Sequence, residues 1–155
     1  MCSSDLSSGR VFFGALDGKV YAVTDGSQQW TYNMNSPPGG AIRYQNGTVY
    51  VAAYNGNVYA LSPDSGGVQW QATVNDFISA SPAVGPDNTV YIGSQDGKLY
   101  AIQNGGTKFT VPTGGEVWSC PAISPDHSVY FGSNDGWIYA VYDDGSQKWV
   151  EEIEG

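Results

Sequence analysis

The sequence predicts an all-β protein made of four β-propeller blades, each a four-stranded antiparallel sheet. Four similar turns carry a glycine at intervals of 38, 41 and 39 residues, at Gly18, Gly56, Gly97 and Gly136. An aromatic residue closes each copy of the repeat, and several short strands are apolar on both faces. A period near 40 residues with several short strands is typical of propeller blades, whose sheets are covered on both sides.

The third copy predicts the four strands most clearly, at 80–84, 89–94, 98–103 and 107–111. We interpret Asp96-Gly97 as a two-residue hairpin turn, because both central residues of such a turn prefer a positive φ. Small residues recur at the end of the second strand and should let neighbouring sheets approach closely. They are Gly14, Ala52, Gly93 and Gly132.

The predicted array is a single domain from residue 9 to residue 155. Its four units cover about 9–35, 36–75, 76–114 and 115–155. The first blade is expected to lack its inner strand, because that strand would fall on Ser3, Ser4 and Asp5, which are poor strand formers.

Residues 1–8 are predicted to be a non-repeat tail. Residues 1–6 match none of the other units, and one reading frame of a common sequencing adapter encodes Cys-Ser-Ser-Asp-Leu. We therefore interpret residues 1–6 as an assembly artefact and expect a metagenomic fragment of a longer gene.

The composition argues against several classes of partner. The net charge is −9, and the six Lys and Arg residues are scattered, which disfavours nucleic acid and anionic membranes. No apolar run is long enough for a transmembrane helix. The two cysteines, Cys2 and Cys120, do not imply a disulfide framework.

Recurring motifs identify a family. Asp-Gly-x-x-Tyr-Ala or Asn-Gly-x-x-Tyr-Ala occurs at 17–22, 55–60, 96–101 and 135–140, and Asp-Gly-Ser-Gln-x-Trp at 25–30 and 144–149. With the stretch 60–70, which is similar to a tryptophan-docking motif, residues 9–153 resemble the pyrroloquinoline-quinone-type (PQQ-like) β-propeller repeat family. The Gly-His and Trp-Asp signatures of the competing WD-type repeats are absent.

The resemblance implies that the closing aromatic residues are structural wedges buried between adjacent blades. These residues are Trp30, Trp70, Phe109 and Trp149. The repeated tyrosines are expected in the core as well. They are Tyr21, Tyr59, Tyr100 and Tyr139.

The resemblance also implies a ring of about seven or eight blades. An open arc of four blades would leave a blade face and strand edges unpaired. Two arrangements complete such a ring: the missing blades of a longer chain, or a two-fold homodimer of this chain. A closed four-bladed monomer is a poorer third alternative.

Catalytic, cofactor-binding and metal-binding residues are not predicted. Quinone-dependent dehydrogenases of the family need a catalytic Asp, calcium ligands and usually adjacent cysteines, and none maps onto a matched position here. Most aspartates lie in turns, where Asp side chains cap the local backbone. The single histidine, His127, lacks the partners that a metal site requires.

Two residues depart from the pattern of the repeat. Trp137 stands where other units have Lys or Asn, and Trp118 stands just before an inner strand. With Glu116 and Cys120, they form a possible partner-binding site, and local packing is the alternative interpretation.

The sequence therefore favours a non-enzymatic module that binds or scaffolds protein or glycan partners without a cofactor. The alternative is a fragment of a PQQ-dependent dehydrogenase whose PQQ- and calcium-binding residues lie outside this chain. The resemblance implies a periplasmic, cell-surface or secreted location.

Overall fold

The computed structural model describes residues 4–7 and 9–153, and within them it contains sixteen strands and no helix that could cross a membrane. The strands form four antiparallel sheets of four strands each, which confirms the predicted all-β propeller architecture.

The first sheet consists of β1 (Ser4–Ser7), β2 (Arg10–Gly14), β3 (Lys19–Thr24) and β4 (Ser27–Asn33). The second consists of β5 (Arg43–Gln45), β6 (Thr48–Ala52), β7 (Asn57–Leu61) and β8 (Val68–Thr73). The third consists of β9 (Ala83–Val84), β10 (Val90–Ser94), β11 (Lys98–Gln103) and β12 (Gly106–Pro112). The fourth consists of β13 (Ala122–Ile123), β14 (Val129–Gly132), β15 (Trp137–Val141) and β16 (Gln147–Glu152).

The four sheets follow one another as blades. Within each sheet the strands pair in chain order, from an inner strand to an outer strand. The inner strands of consecutive blades lie side by side, β1 with β5, β5 with β9 and β9 with β13. Among the described residues, no comparable packing joins β13 to β1, so the blades form an open arc.

The first blade has an inner strand, and the prediction that it lacks one is wrong. β1 pairs with β2 in antiparallel register, with Ser4 opposite Phe13 and Ser7 opposite Arg10. The free edge of β2 offers backbone hydrogen bonds to any extended segment, and strand propensity depends strongly on such context. Residues 1–3, including Cys2, lie outside the described residues.

The Asp96-Gly97 hairpin is also corrected. Ser94 and Lys98 form the last pair of the hairpin, so three residues connect the strands, and among them only Gly97 has a positive φ, of 78°. The Gly97 amide donates a 3.3 Å hydrogen bond to the Ser94 carbonyl, as in a type I turn followed by a left-handed glycine. The two-residue turn with two positive φ angles occurs instead at Asn104 (51°) and Gly105 (80°).

The hydrophobic core lies between the blades. One buried cluster joins Phe12 and Ala22 of the first blade to Val49 and Leu61 of the second. A second cluster joins the second blade to the third, and a third cluster joins the third blade to the fourth. Both faces of the two middle blades are therefore covered, which explains why their strands do not alternate between polar and apolar residues.

Close approach of the blades depends on small residues at the ends of the second strands. A Cβ atom on Gly93 would lie 2.5 Å from the carbonyl oxygen of Val117, in the linker to the next blade. A Cβ on Gly14 would lie 2.8 Å from Pro38 in the same way. Any side chain at these two positions would push neighbouring blades apart.

Candidate functional site

The closing tryptophan of the first blade docks on the second blade. Trp30 is 8% exposed, and its Nε1 donates a 2.7 Å hydrogen bond to the carbonyl oxygen of Pro63. A Cβ on Gly66, in the same turn as Pro63, would lie 2.6 Å from the indole ring. Gly66 therefore leaves the space that the ring fills. We call this contact the wedge contact.

The wedge contact recurs between the later blades. A Cβ on Gly105 would lie 3.2 Å from the Cβ of Trp70, and a Cβ on Gly145 would lie 2.7 Å from the ring of Phe109. In each case an aromatic residue of one outer strand meets a left-handed glycine in the outer turn of the following blade.

Trp70 and Phe109 are half-buried, and Trp149 departs furthest from the expected buried wedge, because it is 40% exposed. No described blade follows the fourth, so its ring packs only within its own sheet, 5.7 Å from the ring of Tyr130. At the other end of the arc, Gly26 occupies the outer turn of the first blade, and nothing lies within 4 Å of where its Cβ would be. Each end of the arc thus carries half of a wedge contact.

The four candidate partner-binding residues lie in the fourth blade and in the linker that enters it. Trp118 is 51% exposed in the linker before β13, whereas Trp137 is half-buried at the start of β15. Neither indole stacks on another ring among the described residues. Glu116 is exposed and accepts a 3.2 Å hydrogen bond from the side-chain amide of Asn134.

Cys120 belongs to a chain of hydrogen bonds that crosses the inner ends of the blades. The Ala41 amide donates to the Ser81 hydroxyl at 2.7 Å, and the Ser81 amide donates to the Cys120 sulfur at 3.3 Å. The thiol is exposed and free, and it occupies the place that the Ser81 hydroxyl holds one blade earlier. This position makes Cys120 a structural acceptor between blades.

Sequence reasoning missed an exposed aromatic pair. Tyr54 and Phe77 are 45% and 48% exposed, and their ring centroids lie 5.3 Å apart. Both lie on what we call the crossover face, made of the turns after β2, β6, β10 and β14 and of the linkers between blades. A comparison of the repeats could have found Tyr54, because it is the only aromatic residue at this position. The other units have Leu16, Gln95 and Asn134 there.

Backbone hydrogen bonds hold the crossover face together. The Tyr54 amide donates to the Pro37 carbonyl at 2.8 Å, and the Gln95 amide donates to the Phe77 carbonyl at 3.0 Å. The Asn134 amide repeats this bond to Glu116 at 2.8 Å. Each of these three turns is therefore fastened to the linker that enters its own blade.

The opposite face carries ion pairs between strands and turns. Arg10 lies 3.1 Å from Asp64, and Lys148 lies 2.7 Å from Asp126. The hydrogen bond from Lys148, followed by that from the Ser124 hydroxyl, holds the pKa of the Asp126 carboxyl well below its usual range. Acidic side chains on this face are thus partly neutralised within the chain.

Among the described residues, Arg43 is the one cationic side chain without a hydrogen bond or ion pair. It is exposed and lines a cavity of about 390 Å³ beside the inner strands, together with Gln45, Pro82 and Ile123. A guanidinium in this place can hold a carboxylate by paired hydrogen bonds.

A second cavity of about 510 Å³ lies between the first two blades. Arg10, Thr24, Tyr44 and Asp64 contribute to its lining. Within these lining residues, the Nε of Arg10 and the Oγ1 of Thr24 are buried without a hydrogen-bond partner among the described residues. In the described part of the chain, no three His, Cys, Asp or Glu residues come together as a metal site would require.

A family model described as outer membrane protein assembly factor BamB matches residues 5–75 and 54–155. These two matches span nearly the whole repeat array, with each wedge contact inside them. The chain belongs to this BamB family. The family assignment confirms the PQQ-like repeats that the motifs predicted. No curated protein matches the chain significantly.

Solved structures share the fold of this BamB family member. BamB from Moraxella catarrhalis superposes with a TM-score of 0.83 at 23% identity, over 99% of this chain and 49% of that one. The computationally designed Ika4 protein superposes with a TM-score of 0.78 at 21% identity, over 90% of this chain and 89% of that one. The WD40 β-propeller domain of Doa1 superposes with a TM-score of 0.79 at 18% identity, over 97% of this chain and 53% of that one. The chain thus spans about half the length of the BamB structure that it matches.

Proposed function

We propose that this BamB family member is a non-enzymatic binding module that presents its crossover face to a protein partner. The observation that carries the proposal is the exposed Tyr54–Phe77 pair, with ring centroids 5.3 Å apart. Exposed aromatic side chains dominate the binding energy of many protein interfaces. The family description, an assembly factor for outer membrane proteins, supports a protein partner and a periplasmic or outer-membrane-associated location.

Backbone hydrogen bonds hold the aromatic pair in position, which favours binding. The backbone amide of Tyr54 and the backbone carbonyl of Phe77 are both hydrogen-bonded within the crossover face. Their backbone positions are therefore fixed before a partner arrives, which reduces the entropy lost on binding. Leu16 and Trp118, 76% and 51% exposed, add apolar surface in other turns and linkers of this face.

The charge of the chain indicates the chemistry of the partner. The net charge of −9 favours a partner segment with basic residues around an apolar centre. Such a segment would place its apolar side chains on Tyr54 and Phe77. Its basic groups would face the surrounding carboxylates, among them Asp76 and Glu116.

A random peptide library displayed on phage tests the proposal. We expect selected peptides to combine apolar and basic residues, and to lose about tenfold or more in affinity with Tyr54→Ser or Phe77→Ser. Val68→Ser is the matched control, because Val68 is 44% exposed in β8, away from the crossover face, and should leave affinity unchanged.

Two results would contradict this function. One is a set of selected peptides whose affinity is the same for Tyr54→Ser, Phe77→Ser and the parent chain. The other is saturable binding of PQQ in the presence of calcium, which would favour the alternative of a dehydrogenase fragment. A glycan array measured with the same variants separates a glycan partner from a protein partner.

A further inference from the structure

We infer that each open end of the arc binds the opposite end of a second copy of this chain, so that two four-bladed chains close one eight-bladed ring. This inference does not depend on the proposed function, because the surfaces involved are the end faces of the first and fourth blades. The crossover face is not part of them.

The end face of the fourth blade has the composition of a buried interface. Ile138 and Trp149 occupy the register positions that Leu99 and Phe109 hold in the third blade. Leu99 is fully buried by the next blade, whereas Ile138 and Trp149 are 37% and 40% exposed. Tyr130, half-buried beside Trp149, completes this apolar face.

The end face of the first blade is apolar as well, and it corresponds to the face that a preceding blade covers in the other units. Its residues Val11, Phe13, Tyr21 and Val23 are all half-buried. They occupy the register positions of Val49, Val51, Tyr59 and Leu61, which the first blade buries to 4% exposure or less. The rings of Phe13 and Tyr21 stack with centroids 5.3 Å apart, so this face presents a flat aromatic surface.

The two faces also carry the two halves of a wedge contact. Three internal interfaces place an aromatic residue against the glycine of the next outer turn, at Gly66, Gly105 and Gly145. Among the described residues, Trp149 has no such glycine beside it, and Gly26, with a φ of 76°, has no aromatic residue beside it. When the first blade of a second copy packs against the fourth blade, its Gly26 meets Trp149 and completes the wedge contact.

Ring closure with two copies agrees with the dimensions of the fold. Nearly all of this chain, 99%, superposes on 49% of the BamB chain from Moraxella catarrhalis, so that propeller has room for about two arcs of this size. In the two-fold ring, the fourth blade of each copy meets the first blade of the other. The contact is head to tail and closes after two copies, which leaves no end face exposed.

Light scattering coupled to size exclusion, over a range of protein concentrations, tests this inference. We expect a mass of twice 16.5 kDa for the parent chain. Ile138→Lys should reduce the mass to one copy with unchanged circular dichroism. Val68→Lys places the same charge on a side chain of similar exposure, 44% against 37%, and should keep two copies.

A second pair of variants tests the wedge contact itself. Gly26→Asn and Gly47→Asn both introduce a residue that tolerates a positive φ, at turns with φ of 76° and 75° and with nothing within 4 Å of the added Cβ. Only Gly26 faces Trp149 of the second copy, so only Gly26→Asn should weaken association, by tenfold or more in dissociation constant.

Three results would overturn the inference. The first is a single-copy mass for the parent chain at every concentration. The second is a mass that grows beyond two copies, since a head-to-tail contact that does not close produces open chains. The third is a two-copy mass that Ile138→Lys leaves unchanged, because a dimer of that kind uses another surface.

Discussion

The Nε1 of Trp30 donates a hydrogen bond to the carbonyl oxygen of Pro63 at 2.7 Å, and thereby fastens the outer strand of one blade to the outer turn of the next. The guanidinium of Arg10 donates to the same carbonyl oxygen at 2.5 Å. Both donors come from the first blade, and the acceptor belongs to the second. The interface between these blades is therefore specified by polar groups as well as by apolar packing.

Substitutions of Trp30 should separate the contribution of its ring from that of its hydrogen bond. We expect Trp30→Ala to lower the free energy of unfolding by about 3–5 kcal/mol, as large aromatic truncations do. Trp30→Phe keeps a ring, as Phe109 does in the third blade, and should cost about 1 kcal/mol for the lost hydrogen bond. Urea denaturation measures both values, and equal losses for the two variants would contradict the assigned wedge contact.

Valine substitutions should show which turn glycines also need space. Gly97 and Gly136 have φ of 78° and 89°, so Gly→Val at either turn should cost about 1–3 kcal/mol from backbone strain. A Cβ on Gly97 would also lie 3.2 Å from the Gly115 carbonyl oxygen, whereas nothing lies within 4 Å at Gly136. Thermal denaturation should therefore show the larger loss for Gly97→Val, and the reverse order would argue against the close approach of linker and turn.

The Lys148–Asp126 pair should contribute to stability above acidic pH. The hydrogen bond from Lys148 lowers the pKa of Asp126 from its ordinary value of 3.8. A lowered folded pKa means that this contribution is present above about pH 4 and is lost as pH falls further. We expect Asp126→Asn and Lys148→Met each to reduce the loss of stability between about pH 4 and pH 2.

The double variant Asp126→Asn/Lys148→Met provides the control for this pair. Its pH dependence should match that of Asp126→Asn, because neither variant has the titrating carboxyl, whereas Lys148→Met keeps the hydrogen bond from the Ser124 hydroxyl and should retain part of the pH dependence. Urea midpoints measured across the acidic range give the comparison. Parallel curves for the parent chain and all three variants would show that the pair contributes nothing.

Tyr91 should make the fold sensitive to alkaline pH. Burial, with smaller effects of the Asp87 and Asp143 carboxylates, raises the pKa of Tyr91 from 10.0 to about 12. A raised folded pKa means that the stabilisation is complete below about pH 10 and is lost as pH rises toward 12. We expect Tyr91→Phe to lessen the loss of unfolding free energy over this range. A Tyr91→Phe variant with the same pH slope as the parent chain would contradict the burial of the hydroxyl.

The candidate site could be predicted only in part from the sequence. Trp118 and Trp137 depart from the repeat, and the structure leaves the first exposed and the second half-buried. Tyr54 and Phe77 come from a turn and from the following linker, so their 5.3 Å ring contact cannot be found by comparing repeats position by position. Their proximity depends on how each linker crosses the turn of the preceding blade.

The amino-acid sequence predicts the number of blades, their antiparallel strands and the aromatic residues of the wedge contacts. A repeat reports these features because each blade needs the same local turns and the same inward-facing side chains. Which copies of those side chains are buried depends instead on the packing of neighbouring blades. Trp30 and Trp149 stand at the same place in the repeat, yet they are 8% and 40% exposed, because burial of a wedge requires a following blade. Pairing with β2 likewise made a strand of Ser4–Ser7, where intrinsic propensity disfavours one.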